Sequence, residues 1–304
     1  MPSMQRASNR VAAQRFGPCR AAALSLALAF GCSTVAPVAE RTEDFESVMT
    51  VDGVDRHFQV HLPEGYTSTT EYPLLIALHG GGGRGETIRN GTDLDAVADS
   101  HGVIMVYPDG APGWVWDDSF SDTVDDIKFI EQLIERVDAF VSVDRDRVYV
   151  TGFSAGGMMT HKLACVITNR LAAAVMVGAT LPTKIANTCH PLLGRRFPVA
   201  VILSTLDAAV PFEGDTVPGD FSLLSANETM RRLAQRNDCS LTPTVSVAFD
   251  DPVSGVRTRR EVYPDCGGGV EVELYAIEGG GHGWPEDFFP TSETVMAFLL
   301  RHRR

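Results

Sequence analysis

Gly152-Phe153-Ser154-Ala155-Gly156 carries the most pointed chemistry in this 304-residue chain. The serine stands between an apolar β-type run at 147–150 and a helix-like run at 158–167. That context predicts a sharp strand-to-helix turn, which lifts the hydroxyl clear of the backbone. Only small neighbours tolerate the crowding there. The chemistry would be nucleophilic attack. A serine hydroxyl is weak at this alone and needs a base, and the base needs an acid to orient it.

His282 fits the base. It follows a strand-like run at 270–277, within Gly279-Gly280-Gly281-His282-Gly283-Trp284, where glycines let a loop present an imidazole. Its rivals are His161, inside the helix after the serine, and His190, beside a cysteine in a loop. Asp207 fits the acid, directly after the strand-like 198–206; Asp215 and Asp220 come later in the same region, and Asp250 and Asp251 follow another β-type run. The order serine, acid, histidine, each just past a strand's C-terminal end, suits a parallel sheet. A developing oxyanion needs two backbone donors. Ala155 is one candidate, and Gly81 within His79-Gly80-Gly81-Gly82-Gly83 is the other, with Gly82 second. Trp116 and Trp284 are candidate substrate contacts, with loop packing as the competing use. Asp125 and Asp126 look like a carboxylate pair for acid–base work but are left outside the catalytic set.

These groups need a scaffold, and the chain predicts one. Asp52-Gly53 between alternating runs within 45–63 signals a hairpin. Continuous apolar runs at 73–78, 102–107, 172–177 and 198–203 read as strands buried on both faces. Helical patterns stand at 93–100, 123–143, 227–236 and 292–303. Strands alternating with helices predict an α/β fold: a mostly parallel, doubly wound sheet with an N-terminal hairpin. Nothing like a linker divides residues 40–304, which read as a single catalytic domain.

Residues 1–39 differ in kind. Arg6, Arg10, Arg15 and Arg20 precede an apolar block at 21–30 that suits a signal-peptide core and is too short to span a bilayer. Gly31-Cys32 then resembles a lipoprotein cleavage site, which makes Cys32 a candidate for lipidation; ordinary cleavage near Ala36 or Ala39 is the competing reading. Either way the chain reads as exported, with membrane contact only through that anchor. The formal charge of −13 falls to about −17 without the leader's arginines, which excludes nucleic acid as a natural partner. Cys165, Cys189, Cys239 and Cys266 remain in the exported part, an even number that predicts disulfides. Of the three pairings, Cys165–Cys189 and Cys239–Cys266 join sequence neighbours and are favoured; buried free thiols are the alternative. No CxxC spacing suggests zinc.

The chain resembles the polyhydroxybutyrate depolymerase and feruloyl esterase families of secreted esterases. The resemblance rests on Leu78-His79-Gly80-Gly81-Gly82-Gly83, Tyr107-Pro108-Asp109-Gly110, Val124-Asp125-Asp126-Ile127, residues 148–159 and Gly279-Gly280-Gly281-His282-Gly283-Trp284-Pro285. It implies an α/β-hydrolase fold, a Ser154–Asp207–His282 triad, a Cys239–Cys266 link, and helix-start and loop-fixing roles for Asp125 and Asp126. It also implies hydrolysis of small or oligomeric carboxylic esters through an acyl-enzyme, with no metal or organic cofactor. Feruloyl or acetyl esters and short hydroxyalkanoate oligomers lead, with polyhydroxybutyrate itself as the alternative. Two departures bear on substrate. Leu203-Ser204-Thr205-Leu206 precedes Asp207 where relatives often carry His-Gly-Thr, and a cysteine pair common after Tyr-Pro-Asp-Gly is missing from 114–122. A serine peptidase on the same fold and a non-catalytic binding lipoprotein are the rival readings. The length holds no propeller or lid domain for the first, and a complete triad is superfluous for the second.

Overall fold

The computed structural model describes residues 41–112, 116–117, 125–189, 195–217, 221–252 and 255–304. The expected leader with Cys32 lies outside these residues, as do Trp114, His190 and Asp220. Strands β1 (Phe45–Val51) and β2 (Val54–His61) form the predicted hairpin, with Val51 opposite Val54. Asp52 and Gly53 turn it with φ of 50° and 81°, the paired positive values of the tight turn that matches strand twist.

The chain continues through β3 (Tyr72–Leu78), α1 (Gly85–Asn90), α2 (Leu94–His101), β4 (Ile104–Pro108), α3 (Asp126–Asp138), β5 (Val143–Phe153) and α4 (Ala155–Val166). Then come β6 (Ala173–Val177), α5 (Thr183–Thr188), β7 (Val199–Ser204), β8 (Asp215–Val217), β9 (Phe221–Leu223) and α6 (Ala226–Arg236). Strands β10 (Thr244–Asp251), β11 (Val256–Val262) and β12 (Val272–Glu278) precede α7 (Thr291–Leu299). Ten strands make one sheet in the order β1-β2-β4-β3-β5-β6-β7-β12-β11-β10. The middle of it, β4-β3-β5-β6-β7-β12, is parallel. Antiparallel strands flank it on both sides.

The apolar runs are continuous because both faces of the sheet are covered. Leu74, Ile76, Val150 and Val201 join Phe129 of α3, Met159 of α4 and Met230 of α6 in one core layer. Leu75, Ala77, Tyr149 and Ile202 point the other way, into a layer with Ala98 of α2 and Val295 and Phe298 of α7. This is the doubly wound arrangement that the alternation of elements predicts.

The departures are at the margins. Helix α3 stops at Asp138 rather than reaching 143, because Val143 continues the apolar pattern as the first residue of β5. Strand β11 was not expected. It reads Val256-Arg257-Thr258-Arg259-Arg260-Glu261-Val262, too charged to announce itself. It forms because β10 and β12 pair with both its edges. Arg260 also forks onto the buried Glu273 of β12 at 2.9 and 2.6 Å. The short α1, α5, β8 and β9 lack the length that would give a readable period.

Candidate active site

Ser154 joins β5 to α4 with φ 54° and ψ −120°, a conformation that costs a non-glycine residue roughly 1–3 kcal/mol. The flanking glycines follow from close approach. A Cβ on Gly152 would lie 2.3 Å from Gly156 O, and one on Gly156 would lie 2.2 Å from Leu78 O. Helix α4 therefore seats directly on the ends of β5 and β3 only because both positions lack side chains. The Ser154 N–H is tied to Val177 O of β6 at 3.0 Å, which holds the strained turn against the sheet.

The Ser154 hydroxyl stands 3.0 Å from His282 Nε2. His282 Nδ1 stands 2.6 Å from Asp207 Oδ2. A carboxylate only accepts, so the imidazole donates from Nδ1 and keeps Nε2 bare to accept from the serine. The other Asp207 oxygen accepts the N–H groups of Ala209 and Val210, both at 2.8 Å, and the residue is 5 % exposed. The loops bearing acid and base are stitched together. Thr205 N–H bonds Ile277 O at 2.9 Å and Leu206 N–H bonds Gly280 O at 3.1 Å. Phe153 supports the imidazole from the strand side, with ring centroids 4.9 Å apart.

Gly80 and Gly81 line the opposite wall: Cβ atoms built on them would lie 3.5 Å from Ser154 Cβ and 3.7 Å from Ala155 Cβ. Ala155 is the first residue of α4, so its N–H has no acceptor within the helix. The loop is anchored by His79, which is fully buried. Its Nε2 accepts the Gly110 N–H at 2.8 Å, which places the proton on Nδ1, donated to Gly80 O at 2.7 Å. Burial lowers the His79 pKa, so the ring stays neutral. Asp109 adds a second tie by accepting the Gly85 N–H at 2.8 Å. The two motifs at 78–83 and 107–110 are thus one braced unit.

Both favoured disulfides form. Cys165–Cys189 links the last turn of α4 to the end of α5, and Cys239–Cys266 links the segment after α6 to the one before β12.

Residues 57–202 match the family described as Esterase PHB depolymerase. Over 296 residues the chain is 29 % identical to NocK of Nocardia uniformis subsp. tsuyamanensis, provisionally named an esterase; the match covers 87 % of this chain and 84 % of that protein. It is 30 % identical to feruloyl esterase B of Piromyces equi over 73 % of this chain and 42 % of that protein, so it spans under half of the latter's length. The chain is thus similar to esterases over most of its length, and to the PHB depolymerase family over residues 57–202. Among solved structures, the acetyl xylan esterase from Aspergillus awamori superposes with a TM-score of 0.60 at 16 % identity, over 82 % of this chain and 98 % of that one. That likeness identifies the α/β-hydrolase fold.

The other candidate residues take the following places. Trp116 is 5 % exposed, stacks on His79 at 4.9 Å and donates Nε1–H to His79 O at 2.9 Å. It therefore braces the glycine loop from within the core instead of offering a substrate-facing wall. Trp284 is partly buried, and its Nε1 points at Glu286 and Ser292, 3.0 and 3.1 Å away, so its polar edge belongs to the loop before α7. His161 is buried against Ala179 O at 3.2 Å, with its pKa pushed down to about 4 by desolvation. Asp215 lies exposed on β8 and Asp250 pairs with Arg257 on β10. Asp125 caps α3 by accepting the Lys128 N–H at 2.8 Å, the helix-start role expected of it. Asp126 is buried on Arg56, 2.6 Å away. Sequence reasoning passed over Arg56, Asp117 and Lys162. The one signal for them was a lysine inside the apolar run Met158-Met159-Thr160-His161-Lys162-Leu163.

Proposed function

We propose that the protein is an exported serine esterase in which Ser154 is the nucleophile, His282 the general base and Asp207 the orienting acid. The observation that carries the reading is the unbroken chain Ser154 Oγ–His282–Asp207, with steps of 3.0 and 2.6 Å. His282 Nε2 takes the serine proton as Oγ attacks the ester carbonyl. Asp207 holds the ring and stabilises its charged form. The oxyanion that develops is met by the N–H groups of Ala155 and Gly81. Collapse of the tetrahedral adduct expels the alcohol, protonated by His282. Water, activated by the same imidazole, then frees the acid from Ser154.

The substrate class proposed is a feruloyl or acetyl ester or a short hydroxyalkanoate oligomer. Kinship with a feruloyl esterase and with the PHB depolymerase family supports it. Leu206, 70 % exposed beside Asp207, offers an apolar contact at the rim for such acyl or alcohol groups. Two disulfides support export, since they persist in oxidising compartments. Cys32 is the residue a lipid anchor would use.

The test is a hydrolysis panel run on wild type and Ser154→Ala: methyl ferulate, acetylated xylan, short p-nitrophenyl esters, hydroxybutyrate oligomers and an aminoacyl amide. Ester turnover by wild type alone supports the reading. Undiminished turnover by folded Ser154→Ala sinks it, and preference for the amide would make the protein a peptidase.

A further inference from the structure

Four charged side chains lie in the core beneath the site, where ionised groups are seldom found. Arg56 and Asp126 are 1 and 0 % exposed, and Lys162 and Asp117 are 2 and 6 % exposed. They form a row of balanced charge. Arg56 Nη2 of β2 lies 2.6 Å from Asp126 Oδ1 at the start of α3, and its guanidinium stands 3.8 Å from the Phe129 ring centroid. Asp126 Oδ2 accepts the Asp117 N–H at 2.6 Å. Asp117 accepts Lys162 Nζ of α4 twice, through its carbonyl at 2.6 Å and its carboxylate at 2.8 Å.

The ends of this row lie on elements that lead to the two sides of the oxyanion site. Lys162 sits on the helix whose first residue is Ala155. Arg56 Nη2 donates to Asp109 O at 3.2 Å, next to Gly110, whose N–H His79 accepts. In between, Trp116 precedes Asp117 and donates to His79 O. A buried ion pair is a poor source of stability, because apolar residues of similar volume often replace it without loss. What charges and directed N–H bonds do supply is fixed geometry.

We infer that this row is a strut that sets the spacing between the Ala155 and Gly81 donors, and that Lys162 and Trp116 are positioning residues for ester hydrolysis. The inference rests on Ser154 being the nucleophile.

Two variants test it. Trp116→Phe keeps a ring and removes only the N–H to His79. Lys162→Met keeps the length and removes the charge. The readout is kcat and KM on a p-nitrophenyl ester, together with the rate ratio of a methyl ester to its thionoester, in which sulfur replaces the carbonyl oxygen. Sulfur accepts weaker hydrogen bonds, so a loosened oxyanion site slows the oxygen ester more. Loss of one oxyanion donor costs 10²–10³ in kcat, so a displaced one should cost less: about tenfold for Trp116→Phe and up to a hundredfold for Lys162→Met. KM should stay within about twofold and the ester-to-thionoester ratio should fall in both. A folded Trp116→Phe protein with wild-type kcat and an unchanged ratio overturns the inference, even where Lys162→Met fails to fold. Equal losses on both substrates overturn it too. Full activity in Ser154→Ala would instead remove the reading on which it stands.

Discussion

The two sides of the site are held in opposite ways. On the acid–base side, Asp207 is fixed by the N–H groups two and three residues further on, and its loop meets the His282 loop through backbone bonds between adjacent strand ends. On the side proposed to hold the oxyanion, most ties are side-chain bonds between distant residues. His79 reaches Gly110 across 31 positions, Trp116 reaches His79 across 37, Lys162 reaches Asp117 across 45 and Arg56 reaches Asp109 across 53. A proton relay needs one short chain of hydrogen bonds; turn chemistry fixes its carboxylate, and backbone bonds between adjacent strand ends bring that carboxylate to the imidazole. An oxyanion site needs two strand ends held at a set distance, which only contacts through the core can do. Damage on the first side should therefore be large and confined to chemistry. Damage on the second should be smaller and shared between rate and stability.

The largest effect expected is from Asp207→Asn. It preserves the backbone bonds but offers an amide N–H where His282 Nδ1 needs an acceptor, so the imidazole is held in the wrong tautomer. Loss of about 10⁴ in kcat with an unchanged melting temperature would fit; a loss below tenfold would show that the acid lies elsewhere. Next is His79→Ala, which orphans the Gly110 N–H and leaves the Gly80 carbonyl only its bond from the Gly83 N–H. Here kcat should fall about 10²-fold and stability by about 2–3 kcal/mol in urea unfolding. A fall in rate alone would erase the contrast between the two sides.

Gly156→Ala tests the seat that both sides share. Its Cβ would meet Leu78 O at 2.2 Å, so α4 must lift off β3. Destabilisation of about 1–3 kcal/mol or more is expected by thermal melting, with activity falling in the fraction that stays folded.

The smallest effect lies behind the site and concerns pH. His161 and His302 have pKa values near 4 in the folded chain, with burial as the first cause, against an ordinary value of 6.5. Below pH 6.5 the unfolded chain takes up protons that the native one refuses. Stability should therefore decline from pH 6.5 towards 4 and be flat with respect to these groups above 6.5. His161→Gln should remove up to one proton from that slope, about 1.4 kcal/mol per pH unit. Parallel urea midpoints for wild type and variant between pH 7 and 5 would contradict the assignment.

Much of this was legible in the chain because its causes are local. The serine turn, the Asp-Gly hairpin, the histidine loop and the buried strands each depend on residues within a few positions. The disulfide partners were legible too, as each cysteine pairs with its sequence neighbour. Trp116 was misread because composition says that aromatic residues line pockets, whereas its N–H partner is 37 residues away. Strand β11 was missed because its charged residues are paired by neighbouring strands rather than announced by alternation.

The sequence by itself pointed to an esterase, to Ser154, His282 and Asp207 as candidates for one site, and to the alternation of strands and helices, since motif and period survive without coordinates. The tertiary structure alone decided which buried charges face one another, which tautomer His79 carries and what Trp116 does. Those outcomes depend on distances between segments that approach only when the sheet closes around them, and pairing across the core leaves no period in the chain to read.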